Sequence, residues 1–345
     1  MSSCNPCSWG VSEMLKIGIV GATGIVGSEL VSLLEDTTLL ISELHLTASG
    51  ASIGKEVTTP LGIKRLEALG EDFFKDLDCC FFCVKPEVSK KFVPLALAEG
   101  AVCIDISSAF RQEPEIPVIV PEVNGHLLQR KPKLVANPNC STAQLTVALN
   151  PILQTFGLER ISVATYQSVS GAGHGAIRQI EEEAKAYALK GLDGLGPQPY
   201  LFNVIPLIGD VDHVGNSGEE AKIIRETRKI LQQPHLPMTV TAARVPVFRG
   251  HSEAVHFETI EECRTEDIRR SLADGTNIRV LDDSSFGRQP QPLHIQKTNQ
   301  VWVGRIRATP DCGPKAFAMW VAADNLRKGA AHNALMIAEA WWNLP

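Results

Sequence analysis

Leu15-Lys16-Ile17-Gly18-Ile19-Val20-Gly21-Ala22-Thr23-Gly24-Ile25-Val26-Gly27-Ser28-Glu29-Leu30-Val31-Ser32-Leu33-Leu34 decides the fold of this chain. Its first six residues read as a short apolar strand. Its last seven carry apolar side chains at 30, 31, 33 and 34, a helical spacing. Between them lies a G-x-x-G-x-x-G turn. Strand, glycine turn and helix in that order open a dinucleotide-binding βαβ unit. Gly21 permits a tight turn, Gly24 lets backbone approach a phosphate, and Gly27 lets the helix pack on the strand. The N–H groups of Thr23, Gly24, Ile25 and Val26 then face an anion at a helix N-terminus. A structural turn would use the same glycines.

Working outward, residues 44–49 read as the second strand, and 79–84 and 101–106 as further buried strands. A helix over 89–99 lies between the last two. Alternating strand and helix predicts a parallel sheet with helices on both faces. The second strand ends Ala48-Ser49-Gly50-Ala51-Ser52-Ile53-Gly54-Lys55, without the acid that would bind a ribose 2′-hydroxyl. Ser49, Ser52 and Lys55 suit a 2′-phosphate, which favours NADP; a plain surface turn is the alternative.

The next informative run is Val135-Ala136-Asn137-Pro138-Asn139-Cys140-Ser141-Thr142. Pro138 fixes its own φ and biases Asn137 toward extended geometry. Thr142 onward reads as a helix to about residue 151. Cys140 is therefore expected at a helix N-terminus, where the macrodipole favours a thiolate nucleophile. An inert buried cysteine is the bland alternative. Beyond it, strands are expected over 160–168, 240–246, 253–258 and 318–323. Helices are expected over 177–190, 219–231 and about 325–342. The Gly- and Pro-containing stretch 191–218 reads as a long functional or interface loop.

Several polar residues in this half suit chemistry. His251, on a Gly-containing turn, can titrate near neutrality as acid and base. Arg244 offers a planar fork for a carboxylate. Arg111 follows a strand's C-terminal end, where ligands collect in α/β sheets. Glu219 opens a helix, where capping is the plain reading. Gln167 ends the strand before the loop over 171–175.

Composition sets bounds. A chain of 345 residues with 44% hydrophobic and 21% charged content fits two soluble globular domains. A net charge of −6 gives no footprint for nucleic acid, and no apolar run is long enough for a membrane span. Nine cysteines at 4, 7, 79, 80, 83, 103, 140, 263 and 312 form no disulfide framework, which points to a reducing cytoplasm. Cys4 and Cys7 form a C-x-x-C in a tail over 1–13 expected to be flexible. No metal site is expected, and Met14 is a second candidate start.

Taken together, the set resembles aspartate-β-semialdehyde dehydrogenase. The matching stretches are Gly21 to Gly27, Ser107-Ser108-Ala109-Phe110-Arg111, Val120-Pro121-Glu122-Val123-Asn124 and Asn137-Pro138-Asn139-Cys140-Ser141-Thr142. They continue with Thr165-Tyr166-Gln167-Ser168-Val169-Ser170-Gly171-Ala172-Gly173, Phe202-Asn203-Val204-Ile205-Pro206 and Glu219-Glu220-Ala221-Lys222. Arg244-Val245-Pro246-Val247 through His251-Ser252-Glu253, and Asp324-Asn325-Leu326-Arg327-Lys328-Gly329, complete them. The resemblance runs from about residue 15 to 345.

What it implies is NADPH-dependent reduction of L-aspartyl-4-phosphate to L-aspartate-4-semialdehyde through a Cys140 thioester, in biosynthesis of lysine, threonine, methionine and isoleucine. His251 matches the family's acid/base and Gln167 its orienting group. The N–H of Cys140, with Asn139 nearby, suits the oxyanion. Arg244 matches the carboxylate site, Glu219 the ammonium site, and Arg111 with Lys222 the phosphate pair. Ser170 and Gly171 match the nicotinamide-side loop, and Asn325 a C-terminal cofactor contact. Two positions depart: Ala51 stands where the family commonly has Arg, which leaves NAD open beside NADP, and Ala221 replaces a larger apolar residue.

The fold implied is α/β: a Rossmann-type parallel-sheet domain over 14–140 plus 325–345, and an α+β catalytic and dimerisation domain over 141–324. The partners implied are a small-molecule substrate and a second copy in a homodimer, with a tetramer as the alternative. The nearest rival, N-acetyl-glutamyl-phosphate reductase, has a thiol motif resembling Asn-Pro-Gly-Cys-Tyr, against Asn139 and Ser141 here. A glyceraldehyde-3-phosphate dehydrogenase reading fails on the surrounding motifs. A non-catalytic paralogue should have lost Cys140 or His251.

Overall fold

A computed structural model describes residues 14–283, 285 and 287–343. The tail over 1–13, with its C-x-x-C, lies outside them. The opening stretch forms β1 (Leu15–Val20) and α1 (Ile25–Leu33). After them come β2 (Ile41–Ala48), β3 (Glu56–Thr59), β4 (Gly62–Ala68), β5 (Cys79–Phe82), α2 (Pro86–Ala98) and β6 (Val102–Asp105). A short α3 (Pro121–Asn124) leads to β7 (Leu134–Ala136). The sheet order is β3-β4-β2-β1-β5-β6-β7, parallel except for the β3–β4 hairpin. This is the expected doubly wound sheet. The hairpin was not expected, because Glu56–Thr59 and Gly62–Ala68 are largely exposed and lack an apolar run.

The second half runs α4 (Cys140–Phe156), β8 (Arg160–Gln167), α5 (His174–Lys190), α6 (Gly218–Ile230), β9 (Met238–Arg244) and β10 (His251–Glu258). It continues with α7 (Thr265–Ala273), β11 (Ile278–Val280), α8 (Pro292–Ile295), β12 (Val301–Ala308), β13 (Ala316–Ala323) and α9 (His332–Asn343). Its sheet order is β11-β12-β13-β10-β8-β9, mixed in direction. The inner face buries Val163, Val255, Phe317 and Val321 against Leu145, Leu149 and Ile152 of α4, Ile223 of α6 and Ile268 of α7.

Two expectations need correcting. α4 does not stop near residue 151 but runs through Pro151 to Phe156. The last helix is not continuous from 325: a π turn over Arg327–Ala331 precedes α9. α9 then returns to the first sheet, where Ala334, Leu335, Ile337 and Ala338 share a core with Ile17, Ile19, Leu30 and Leu46. Burying Leu335 and Ile337 is worth about 1.5–3 kcal/mol each, enough to hold a 12-residue helix in place. Among the described residues no helix is long and apolar enough to cross a membrane.

Candidate active site

Cys140 is the first residue of α4. Asn139 is the N-cap, and its Oδ1 accepts from the N–H of Ser141 at 3.0 Å and of Thr142 at 3.3 Å. Such a cap is worth about 1 kcal/mol and fixes where the thiol stands. The Asn139 Nδ2 donates to Glu219 Oε1 at 2.8 Å, and its N–H to Glu226 Oε2 at 2.6 Å. The sequence reading set Asn139 beside the oxyanion; its side-chain amide is committed instead to the cap and to Glu219. Gly329, in the π turn, backs onto the thiol so closely that a methyl there would lie 2.7 Å from Cys140 Cβ.

The helix end is not the only influence on this thiol. Burial, then the charge of Glu219, pushes the Cys140 thiol up to about 12, against the opposing effects of Arg244, Arg111 and the Ser141 N–H. The helix-end position is as expected, but desolvation of the charged form outweighs it.

The sheet supplies the facing groups. Gln167 and Arg244 are register partners on β8 and β9. Gln167 Nε2 donates to Ser141 Oγ at 2.9 Å and to Glu219 Oε1 at 3.2 Å. Arg244 Nη1 donates to Ser168 O at 2.8 Å and weakly to Gln167 Oε1 at 3.4 Å. His251 is fully buried and is the first residue of β10 rather than part of a turn. The Ser168 N–H donates to its Nδ1 at 3.0 Å. A neutral ring there carries its proton on Nε2, which has no protein partner. Burial, reinforced by the charge of Arg244, holds His251 well below its ordinary range. Both effects favour the neutral ring, with Nε2–H as its free donor. Gly171 lies where Arg244 and His251 meet: a methyl on it would be 2.9 Å from Arg244 Nη1 and 3.2 Å from His251 Nε2.

α6 forms a third wall. Ser217 and Glu220 make a reciprocal capping box, so capping falls to Glu220 and Glu219 is left to face the site. Lys222 Nζ stands 3.6 Å from Glu219 Oε2. Arg111 is buried; its Nη1 donates to Glu226 Oε1 at 3.2 Å and its Nη2 to Ile106 O at 2.8 Å, while Nε has no partner. Glu226 thus ties Arg111 to the Asn139 backbone. The sequence reading missed it, although 219, 222 and 226 share one helix face at spacings of three and four. Lys229 was missed as well: its Nζ donates to the carbonyls of Arg111, Glu113 and Ile116 and holds the Arg111 loop.

The glycine turn has the shape of a dinucleotide cradle. Gly21 sits at φ +86°, and a methyl on Gly27 would lie 2.2 Å from Gly21 O. Gly24 is the N-cap of α1 and gives no side-chain cap, so the first N–H groups of the helix are left for a ligand. Thr23 is exposed at this lip, with Ile25 and Val26 half-buried behind it. Ser49 and Ser52 lie in a 3₁₀ turn after β2, with no acid between them. Those features fit a dinucleotide. Ser170 and Asn325 lie elsewhere, buried in one network: Asn325 Oδ1 accepts from Ser168 Oγ, Ser170 Oγ and the Gly250 N–H, and its Nδ2 donates to Ser170 Oγ. The expected cofactor contact at Asn325 is thus occupied within the protein. Among the described residues no cluster of three or more His, Cys, Asp or Glu is placed to hold a metal ion.

A glycine-turn dinucleotide sheet joined to a mixed sheet, with a cysteine at a capped helix N-terminus, is the architecture of a dinucleotide-dependent dehydrogenase. Two family models match: "Semialdehyde dehydrogenase, NAD binding domain" over residues 16–131 and "Semialdehyde dehydrogenase, dimerisation domain" over 149–328. The aspartate-semialdehyde dehydrogenases of Aquifex aeolicus and Legionella pneumophila are 39% and 40% identical, covering 94% and 95% of this chain and 97% and 96% of theirs. The crystal structure of aspartate semialdehyde dehydrogenase II from Vibrio cholerae superposes with a TM-score of 0.89 at 37% identity, over 95% of this chain and 98% of that one. The same enzyme is known complexed with ASA. A Candida albicans aspartate semialdehyde dehydrogenase solved with NADP gives 0.72 at 25% identity, over 95% and 98%. The chain belongs to the aspartate-semialdehyde dehydrogenase family.

Proposed function

We propose that this chain is an NADP-dependent phosphorylating aspartate-semialdehyde dehydrogenase. It converts L-aspartyl-4-phosphate to L-aspartate-4-semialdehyde and phosphate, a step toward lysine, threonine, methionine and isoleucine. One observation carries the reading: Cys140 opens α4 behind the Asn139 cap, and Glu219 is bonded both to that cap and to Gln167, whose register partner on the next strand is Arg244.

The charge balance suggests how the thiol is activated. Burial first and then Glu219 favour the protonated Cys140, while Arg244 and Arg111 oppose them. A substrate ammonium on Glu219 cancels that carboxylate's effect and eases loss of the thiol proton, which passes to the departing phosphate as its C–O bond breaks; the thiolate left at the end of the cycle takes a proton back from solvent. Arg244 takes the substrate carboxylate, Arg111 and Lys222 the phosphate, and Gln167 orients the acyl group beside the sulfur. The Cys140 sulfur attacks the acyl carbon; the C–S bond forms, the C–O bond to phosphate breaks, and phosphate leaves. Gly21, Thr23, Gly24, Ile25, Val26 and Gly27, with Ser49, Ser52 and Gly171, would hold the dinucleotide, which would supply the hydride; Ser170 supports this loop from behind through Asn325. His251 Nε2–H donates to the carbonyl oxygen as negative charge gathers there. When the C–S bond breaks, that oxygen returns to a carbonyl and the sulfur departs as thiolate, so His251 keeps its proton.

We divide the chain into a nucleotide domain, 14–140 with the segment from 325, and a catalytic domain over 141–324. We further propose a homodimer. Leu189, Leu192, Phe202, Val204 and Val214 are all exposed in one stretch of the catalytic half, apolar surface that a second copy would cover. The seven described cysteines are free thiols, which suits the cytoplasm. Aspartate semialdehyde, phosphate and NADP incubated with the protein should raise absorbance of the reduced cofactor. Turnover only with the N-acetyl-glutamyl substrate, or none with NADP or NAD, would overturn the assignment.

A further inference from the structure

Two runs of hydrogen bonds, joined by the Asp324–Asn325 peptide bond, link the dinucleotide helix to the histidine. Glu29, in the second turn of α1, accepts from Arg327 Nε at 2.6 Å on one oxygen and from Arg249 Nη1 at 2.8 Å on the other. Arg249 Nε donates to Asp324 Oδ2 at 2.7 Å. Asp324 is fully buried, and its Oδ1 also caps the N–H groups of Leu326 and Arg327. The next residue, Asn325, accepts the N–H of Gly250 at 2.9 Å and the hydroxyls of Ser168 and Ser170. Ser168 then donates its N–H to His251 Nδ1. Two adjacent residues, Asp324 and Asn325, thus grip two adjacent residues, Arg249 and Gly250, immediately before His251.

Stability is weak grounds for this arrangement. The cluster holds two cations and two anions, and the side chains of Glu29, Arg249 and Arg327 are less than a fifth exposed. Buried ion pairs of this kind are often no better than apolar packing of the same volume. What they supply is direction: Glu29 must stand opposite Arg249 and Arg327 to keep its charge satisfied. The guanidinium groups outweigh burial and hold its carboxyl below the usual range. Glu29 and Arg249 are 220 residues apart in sequence, and their pair ties α1 to the turn before His251.

We propose that Glu29 and Arg249 are positioning residues that register the dinucleotide helix against the His251 turn, so that seating the cofactor orders the 168–171 loop and His251 Nε2. This deepens the function proposed above and rests on it. Shifting α1 when the cofactor engages its N-terminus moves Glu29, and with it Arg249, Gly250 and the Ser168 N–H on which the imidazole is hung. A misplacement of about 1 Å at reacting groups costs on the order of 100-fold in rate.

Hydrogen exchange reads the coupling apart from turnover. In the wild type, saturating NADP should slow exchange of peptides covering 168–172 and 249–252. In Glu29→Gln, nearly isosteric, NADP should still bind by fluorescence titration, but that slowing should be lost. The kcat should fall ~10–100-fold while KM for aspartate semialdehyde stays within ~3-fold. Glu29→Asp should recover part of both. A double-mutant cycle with Arg249→Gln should show the two losses to be non-additive in kcat. Wild-type protection of 168–172 in the bound Glu29→Gln variant, or additive losses in the cycle, would overturn the coupling. A wild type that binds and turns over yet transmits no protection also sinks it and leaves the enzyme assignment standing; a wild type that neither binds NADP nor turns over removes both.

Discussion

The two halves of this molecule build their binding sites by opposite means. The nucleotide half uses seven consecutive residues, 21–27, and works by leaving side chains out. Backbone N–H groups, an uncapped helix end and close packing make the cradle, and no charged group takes part. The catalytic half gathers its groups from β8, β9, β10, α4, α6 and the loop at Arg111, and works by balancing buried charge. Glu219 and Glu226 stand against Arg244 and Arg111, with Asn139 and Gln167 bonded between them. A site of the first kind should be sensitive to added volume. One of the second kind should be sensitive to the identity of a functional group.

The sharpest test of that division is Cys140→Ala. It removes the sulfur proposed to carry the acyl group and fills no space. Turnover should fall at least ~10⁴-fold, while NADP binding, measured by fluorescence, stays within ~3-fold because the cradle is built elsewhere. Loss of NADP binding in this variant would break the comparison. Gly27→Ala is the reciprocal test. Its methyl would meet Gly21 O at 2.2 Å, so α1 must move away from β1. Overpacking of this size costs about 1–3 kcal/mol, and Kd for NADP should rise ~10–100-fold. Alkylation of Cys140 by iodoacetamide should proceed at the wild-type rate.

This contrast also explains how much of the molecule was legible in its sequence. The nucleotide half was readable from residue physics, since strand, glycines and helical spacing are contiguous and each has a local meaning. The catalytic half was readable mainly through resemblance. Nothing local to His251 reveals that Ser168, 83 residues away, donates to its Nδ1. Glu226 looked like one more acid on an amphipathic helix until the fold set it between Arg111 and Asn139. The π turn left only Gly329 as a trace, and its need to be glycine comes from Cys140, far away in sequence. The thiol's surroundings are likewise only partly local: the helix end can be read from sequence, whereas burial and Glu219, which push the thiol up, are contributed by the rest of the chain.

A milder change sharpens the electrostatic side. Arg244→Lys keeps the positive charge that acts on Cys140 and His251 but loses the planar fork. Losing one good charge-assisted bond of about 1.5–3 kcal/mol should raise KM for aspartate semialdehyde ~10-fold or more. The kcat should change by less than ~3-fold, because the field at the thiol and imidazole remains. An equal fall in kcat with KM unchanged would mean that Arg244 acts on the reacting centre rather than on the substrate carboxylate.

Glu253→Gln should have the smallest effect on turnover and still separates buried charge that is balanced from buried acid that is not. Glu253 is fully buried on β10, one alternation beyond His251, with Thr165 across from it on β8. Gln144, one helical turn beyond Cys140 on α4, is its polar neighbour, but neither carboxylate oxygen closes a hydrogen bond. No cation acts on it, and burial outweighs the opposing effect of Gln144 to drive its pKa well above the ordinary carboxyl range. The sign follows from proton counting. In the unfolded chain Glu253 ionises near pH ~4.5; in the folded chain it keeps its proton to higher pH. The native state therefore binds more protons across that window, and stability falls as pH rises from about 4.5 toward the folded pKa. Glutamine cannot ionise, so the variant escapes this loss. Its Tm should match the wild type near pH 4 and exceed it increasingly toward pH 8, with each 1 kcal/mol worth about 2–4 °C. A paired carboxylate such as Glu29 should show the opposite slope on substitution, since its pKa is lowered. A Tm difference for Glu253→Gln that does not change with pH would place a counter-charge or a proton partner beside this carboxyl, and the two kinds of buried acid would no longer be distinct.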